Sequence, residues 1–240
     1  MLDHITIRAS DRAASELFYD TVLRAIGVGQ SGRREMYTVW RGQFSLAHAD
    51  AEHPVTRRLH VGFAAPSRED VDEFWRVGTE AGFRDDGASG PRTEYSEDYY
   101  GAFLLDPDGN SAEAVHHGGT ARRVIDHIWV GVDDLDAAKR FYVEAAPYTG
   151  FSVRRELEER VQFRDANASF ALVAREPTQN LHLAFEATDN ATVDAFHRAL
   201  TGSGYRDNGG PGGRDYHAGY YGAFILDPDG NNVEVVNHNR

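Results

Sequence analysis

Three chemically useful residues recur in matching places along this 240-residue chain: His4, His60 and Glu113 in the first half, and His127, His182 and Glu234 in the second. Two histidines and a carboxylate are a common ligand set for Fe(II), Mn(II), Zn(II), Ni(II) or Co(II). Three protein ligands leave positions open for substrate or water. The ligands of a set are separated by 56 and 53 residues in the first half and by 55 and 52 in the second. No local metal motif has such spacing, so the set has meaning only in a fold that converges three strands. The bland alternative is that these are strand-start histidines and an exposed glutamate kept by duplication alone. Against it, the halves have diverged widely while the three positions still match. His48, His53, His116 and His197 lack counterparts and read as ordinary surface or loop histidines.

The elements that must position these residues are themselves repeated. The run from Tyr99 to Asn110, Tyr-Tyr-Gly-Ala-Phe-Leu-Leu-Asp-Pro-Asp-Gly-Asn, returns at 220–231 with one change, an offset of 121 residues. Asp3-His4-Ile5 matches Asp126-His127-Ile128, and Leu59-His60-Val61-Gly62-Phe63 matches Leu181-His182-Leu183-Ala184-Phe185. The repeat divides the chain into domains 1–120 and 121–240, each large enough to bury a core. Within each, a strand-like stretch opening on His leads into a helical stretch, and this happens twice. The helices begin near Ser10, Ser67, Asp133 and Asp189, where a side-chain oxygen can cap the first turn. Leu17, Phe18, Val22 and Val71, Phe74, Trp75 have the spacing of a buried helical face. Short strands separated by turn signals follow each helix, so the fold class is α+β, with four β-α-β-β-β modules. Asp-Pro-Asp-Gly-Asn is a turn, with proline at the first central position and glycine accepting positive φ.

The net charge of -13 argues against nucleic acid as a partner. No apolar run reaches the length of a membrane span, and no signal peptide is visible at Met1–His4. Cysteine is absent, which excludes disulfides, thiolate metal sites and a thiol nucleophile. A cytoplasmic location is expected.

The Asp-His-Ile opening, the Leu-His-Val/Leu strand and the closing Tyr-Tyr-Gly-Ala-Phe…Leu-Asp-Pro-Asp-Gly-Asn…Glu pattern resemble the vicinal oxygen chelate superfamily. This is the glyoxalase, bleomycin resistance protein and extradiol dioxygenase group, and the resemblance spans each half once. It implies two glyoxalase-like domains with cupped mixed sheets. It also implies a metal bound by His127, His182 and Glu234 in one half and by His4, His60 and Glu113 in the other. Members chelate a substrate through two adjacent oxygens. Glyoxalase I enzymes add a glutamate on the fourth strand of the first module. The segments Phe44–His48 and 170–173 hold none, which favours a three-ligand site.

The halves disagree where Ser96 aligns with His217. A histidine there could act as a general acid–base near neutral pH; the alternative is a solvent-exposed loop residue. If His217 acts, the C-terminal half is the active one. Of each tyrosine pair, Tyr99–Tyr100 and Tyr220–Tyr221, one should pack in the core and the other face the cup. Tyr221 is the candidate there for hydrogen bonding to a metal-bound oxygen, against simple rim packing. Loops 27–36, 84–98 and 205–219 are expected to wall the pocket. The Gly-rich stretch from Asn208 to Gly213 is either an irregular connection or a mobile lid.

The reading is a divalent-metal enzyme, a lyase or isomerase or an extradiol-type dioxygenase, acting on a small molecule as a monomer or homodimer. The alternative is a bleomycin-resistance-like protein that sequesters a small molecule without catalysis, the acidic charge suiting a cationic one.

Overall fold

The computed structural model describes residues 1–118, 123–165 and 168–240. The first module runs β1 (Leu2–Ala9), α1 (Arg12–Ala25), β2 (Gln30–Arg33), β3 (Tyr37–Trp40), β4 (Phe44–His48). The second runs β5 (His60–Ala64), α2 (Arg68–Glu80), β6 (Arg84–Pro91), β7 (Tyr100–Leu105), β8 (Ser111–His116). The third runs β9 (Ile125–Val132), α3 (Leu135–Thr149), β10 (Ser152–Leu157), β11 (Arg160–Arg164), β12 (Ser169–Ala174). The fourth runs β13 (His182–Glu186), α4 (Asn190–Gly202), β14 (Asp207–Gly213), β15 (Tyr221–Leu226), β16 (Asn232–Asn237). The four-module α+β reading is therefore the observed architecture. No helix among the described residues is long and apolar enough to cross a membrane.

The strands form two mixed sheets, ordered β14-β15-β16-β13-β1-β4-β3-β2 and β10-β11-β12-β9-β5-β8-β7-β6. The chain divides into two compact units. Unit I is Thr6–Trp129; unit II is Met1–Ile5 with Val130–Arg240. The opening strand of each half is thus exchanged in part. The start of β1 belongs with β13, and the start of β9 pairs with β5.

In unit I, β5 pairs in parallel with β8, aligning Gly62 with Glu113, and antiparallel with β9, aligning Gly62 with His127. The buried rings of Phe18, Tyr19, Phe44 and Phe63 fill the core behind these strands. In unit II, β13 pairs in parallel with β16, aligning Ala184 with Glu234. Its core is built on Phe141, Tyr142, Phe170 and Phe185. Each such ring contributes about 1.5–3 kcal/mol on burial.

The helix caps are Asp11, Ser67, Asp134 and Asp189, each accepting from the backbone N–H three residues on. Ser10 and Asp133, the expected caps, sit one residue early because the turn motif engages them. Ser10 donates to Asp108, and the Asp133 N–H donates to Asp229. Leu17, expected on a buried face, is 63% exposed; the buried stripe of α1 runs through Ser15, Phe18, Tyr19, Val22 and Leu23 instead.

The Asp-Pro-Asp-Gly-Asn turn is also a tie. Asp106 accepts from the N–H groups of Asp108 and Asn110 and from Tyr19 of α1, while the Asn110 side chain accepts from the Leu59 N–H just before β5. Asp227, Tyr142, Asn231 and Leu181 repeat the arrangement in unit II. The glycines of these turns have φ of 85° and 87°, a conformation that costs glycine little.

Candidate metal centres

In unit II, β1 delivers His4, β13 delivers His182 and β16 delivers Glu234 to one point. His4 Nε2 lies 3.2 Å from His182 Nε2, and Glu234 Oε2 lies 3.0 Å from His182 Nε2 and 3.9 Å from His4 Nε2. Asp3 Oδ2 accepts from His4 Nδ1 at 2.6 Å, which fixes the tautomer and leaves Nε2 for another partner. His182 Nδ1 sits 2.7 Å from the side-chain amide of Asn232. Tyr220 donates to Glu234 Oε1 at 2.7 Å. Glu234 Oε2 is buried and accepts no hydrogen bond from any described residue. A buried carboxylate oxygen left so is costly. A divalent cation held with the two Nε2 atoms would resolve it, so the residues present fit such an ion.

In unit I, β5 delivers His60, β8 delivers Glu113 and β9 delivers His127. His60 Nε2 is 3.0 Å from Glu113 Oε2 and 3.1 Å from His127 Nε2, and His127 Nε2 is 3.2 Å from the same oxygen. Asp126 holds His127 Nδ1 at 2.8 Å. Ser111, whose hydroxyl donates to Asp86, can accept from His60 Nδ1 at 3.2 Å. Tyr99 donates to Glu113 Oε1 at 2.6 Å.

The electrostatics follow from this packing. Burial alone would raise Glu113, but its bonds to His127 and His60 outweigh that and lower it to about 2. Burial alone would lower His127, but Asp126 and Glu113 raise it to about 10. His4 is raised in the same manner, with Asp3 and Glu234 overriding burial, and Glu234 is lowered by His182, His4 and Tyr220 against its burial. Burial first, then the adjacent carboxylate, keeps the Tyr99 and Tyr220 phenols protonated far above their ordinary range.

Two glycines make room for these groups. A Cβ on Gly222 would lie 2.5 Å from Glu234 Oε1, and one on Gly101 2.6 Å from Glu113 Oε1. The clusters differ at a third position. A Cβ on Gly62 would lie 2.3 Å from His127 Cε1, whereas the matching residue in unit II is Ala184. The His4 cluster is correspondingly more open, with His4 and His182 side chains 16% and 21% exposed against 7% and 11% for His127 and His60. Trp129 adds a wall beside His60 and His127, with Tyr95 against it.

A family model described as the Glyoxalase/Bleomycin resistance protein/Dioxygenase superfamily matches residues 1–114 and again 124–235. The chain belongs to this superfamily. Glyoxalase I from Zea mays shares the fold at 18% identity and a TM-score of 0.72, over 99% of this chain and 92% of its own. A glyoxalase/bleomycin resistance protein from Albidiferax ferrireducens T118 is 28% identical over 47% of this chain and 96% of its own, with a TM-score of 0.41. The Mn(II)-bound glyoxalase from Novosphingobium aromaticivorans is 19% identical over 100% of this chain and 82% of its own, with a TM-score of 0.45. No curated protein matches.

The six residues named from the sequence do converge, but in a grouping that corrects the one expected from the superfamily pattern. His4 joins His182 and Glu234, and His127 joins His60 and Glu113. The cause is the strand exchange: each half supplies its first histidine to the other half's remaining two ligands. Tyr221 also needs correcting. Its hydroxyl donates to Asp194 on α4, and Tyr220 is the one that faces Glu234. Strand alternation puts Tyr220, Gly222 and Phe224 on the ligand side and Tyr221, Ala223 and Ile225 toward α4. His217 does not reach the ligands. Its Nδ1 donates to the Ala218 carbonyl, and its Nε2 lies 2.9 Å from His238 Nδ1; His238 Nε2 then binds Asp3 Oδ1 at 2.9 Å. The Gly-rich stretch is neither lid nor loose connection but strand β14, paired with β15, and the expected pocket loops contain β2 and β6 as well.

Sequence reasoning missed His117 and His238. They share the offset of 121 and hold Asp126 and Asp3, respectively, behind a candidate ligand. The offset was the signal that could have found them. Asp3 and Asp126, quoted in the superfamily pattern, each accept from the Nδ1 of the adjacent candidate ligand.

Proposed function

We propose that the chain is a divalent-metal-dependent enzyme acting on a small molecule that offers two adjacent oxygens, with the His4–His182–Glu234 cluster as its working site. The observation that carries this is the buried Glu234 Oε2, which lies between two imidazole Nε2 atoms, 3.0 Å from His182 and 3.9 Å from His4, and is satisfied by no hydrogen bond of good geometry among the described residues. Imidazole and carboxylate suit Fe, Mn, Zn, Ni or Co. When bound, the ion would supply Lewis acidity to the two substrate oxygens or bring dioxygen beside them. The chain's own residues orient this chemistry. Asp3 and Asn232 aim the two rings, and Tyr220 fixes the carboxylate.

Three features support this cluster over its counterpart. It is more open, it lacks a tryptophan on its β1 ligand strand at the place of Trp129, where Thr6 stands, and it alone extends outward to a second histidine. In that extension His217 Nδ1 faces the Ala218 carbonyl, its Nε2 faces His238 Nδ1, and His238 Nε2 faces Asp3 Oδ1.

The test is metal stoichiometry of protein stripped with chelator and reloaded, followed by assay with hemithioacetals for isomerisation and with catechols for oxygen uptake. Retention of divalent metal, reduced by the His4-cluster equivalent on His182→Ala or Glu234→Ala, together with turnover of one substrate class that the same variants abolish, supports the proposal. Protein that takes up no divalent metal refutes it. Tight binding of small cationic molecules without metal or turnover would instead favour sequestration.

A further inference from the structure

Arg214 lies with its guanidinium 5.2 Å above the ring of Phe224. Phe224 is on the ligand face of β15, aligned with Glu234, and its ring centroid is 6.2 Å from that of His182. The bed for this arginine is made by the glycines of β14. A Cβ on Gly209 would lie 3.0 Å from Phe224 Cδ2, and one on Gly212 would lie 3.0 Å from Arg214 Nη1. The carbonyls of Gly213 and Gly210 hold one N–H on each terminal nitrogen. Two of the five guanidinium donors are thereby used. In a chain with 38 acidic residues, Arg214 has no carboxylate partner among the described residues. It also lines a cleft of about 710 Å³ with His217, Tyr220 and Tyr221, and Tyr220 belongs both to that cleft and to the ligand group.

The second half does not invent this arrangement. In unit I, Arg92 lies 5.3 Å above Phe103, held by the Pro91 and Ala88 carbonyls, with Gly87 making room for the ring. Phe103 is 5.9 Å from His60. The intervening residues differ, yet glycine, phenylalanine and arginine keep their places. A stacked guanidinium held rigid by backbone carbonyls, with donors to spare, is suited to bidentate capture of a carboxylate. The overall charge of -13 would not draw an anion by itself, so a local cation is needed.

We infer that Arg214 is a carboxylate-binding residue beside the candidate metal centre, and that the substrate carries a carboxylate at the end remote from its two chelating oxygens. This rests on the metal reading above. The experiment uses Co(II)-loaded protein and its visible absorption bands. The probes are 2-oxoglutarate, 2-oxoadipate and 2-oxopimelate, each compared with the 2-oxo monoacid of equal chain length. All six probes offer the same adjacent oxygens; only three add a remote carboxylate. At least one diacid is expected to bind about tenfold tighter than its monoacid. Arg214→Gln removes that preference while cobalt affinity stays unchanged, and Arg214→Lys keeps part of it. No diacid preference at any length, or a preference that survives Arg214→Gln, overturns the inference. A different failure, in which neither probe class perturbs the cobalt bands, refutes the chelation reading and takes this inference with it.

Discussion

Substituting Gly62 with alanine should damage one candidate metal centre and leave the fold standing. The new Cβ would lie 2.3, 2.5 and 2.9 Å from Cε1, Nδ1 and Nε2 of His127. Ordinary carbon contacts are about 3.5–4.0 Å, so the ring must retreat by about 1.2 Å or more. A ligand bond tolerates about 0.2 Å. The His4 cluster, where Ala184 occupies the matching place, has its Nε2–Oε2 separation at 3.9 Å instead of 3.2 Å. Gly62→Ala should therefore convert the His60 cluster toward that looser geometry and weaken its metal binding about 10- to 100-fold, or about 1.4–2.8 kcal/mol. Because the clash is with a side-chain ring able to swing, the stability cost should stay below about 1.5 kcal/mol. Calorimetric titration of chelator-stripped protein with Zn(II) should resolve two sites in the wild type and show only one of them shifted. Urea unfolding reports the fold separately. An unchanged two-site isotherm in Gly62→Ala refutes the argument that this glycine sets the position of His127.

Tyr220→Phe removes the donor to Glu234 Oε1 and should weaken metal binding at the His4 cluster about tenfold or more, read by the same titration. The metal-free protein should show a stability optimum in mildly acidic solution. Glu113, lowered from 4.5 to about 2, contributes stability that is present above its ordinary value and lost as pH falls toward 2. His127, raised from 6.5 to about 10, contributes stability that is complete below 6.5 and lost as pH rises through 10. Urea midpoints measured with chelator across pH should flatten on the alkaline side in His127→Gln, and an unaltered alkaline arm would contradict this. Loading metal near pH 8 should release protons, because the ion displaces the one on His127; calorimetry in buffers of different ionisation enthalpy measures the number. Tyr142→Phe, which takes a donor from buried Asp227, should cost about 1–3 kcal/mol in urea unfolding without altering metal stoichiometry.

The modules were legible because their causes are local. Apolar periodicity, capping side chains and the repeated turn motif all lie within a few residues of one another, and duplication showed each of them twice. The candidate ligands were legible by type for the same reason. Their grouping was not, since it depends on β1 lying next to β13 and β9 next to β5, a pairing that no spacing within a half encodes. The choice of Tyr221 failed on phase. Alternation says that one of two adjacent tyrosines faces the ligands, but only the register of Phe224 against Glu234 decides which. Leu17 failed similarly, since one helical turn admits two apolar stripes and the packing of Tyr19 against Phe44 selects one.

The exchanged opening strands have a consequence for inheritance. Asp3 and His4 are encoded at the start of the chain, but the partners that give them a task, His182, Glu234 and His238, are encoded near its end. A lesion in either copy's first strand is therefore borne by the other copy's ligands. Neither copy can be excised with its own centre intact, because each centre takes one histidine from the other copy's opening strand.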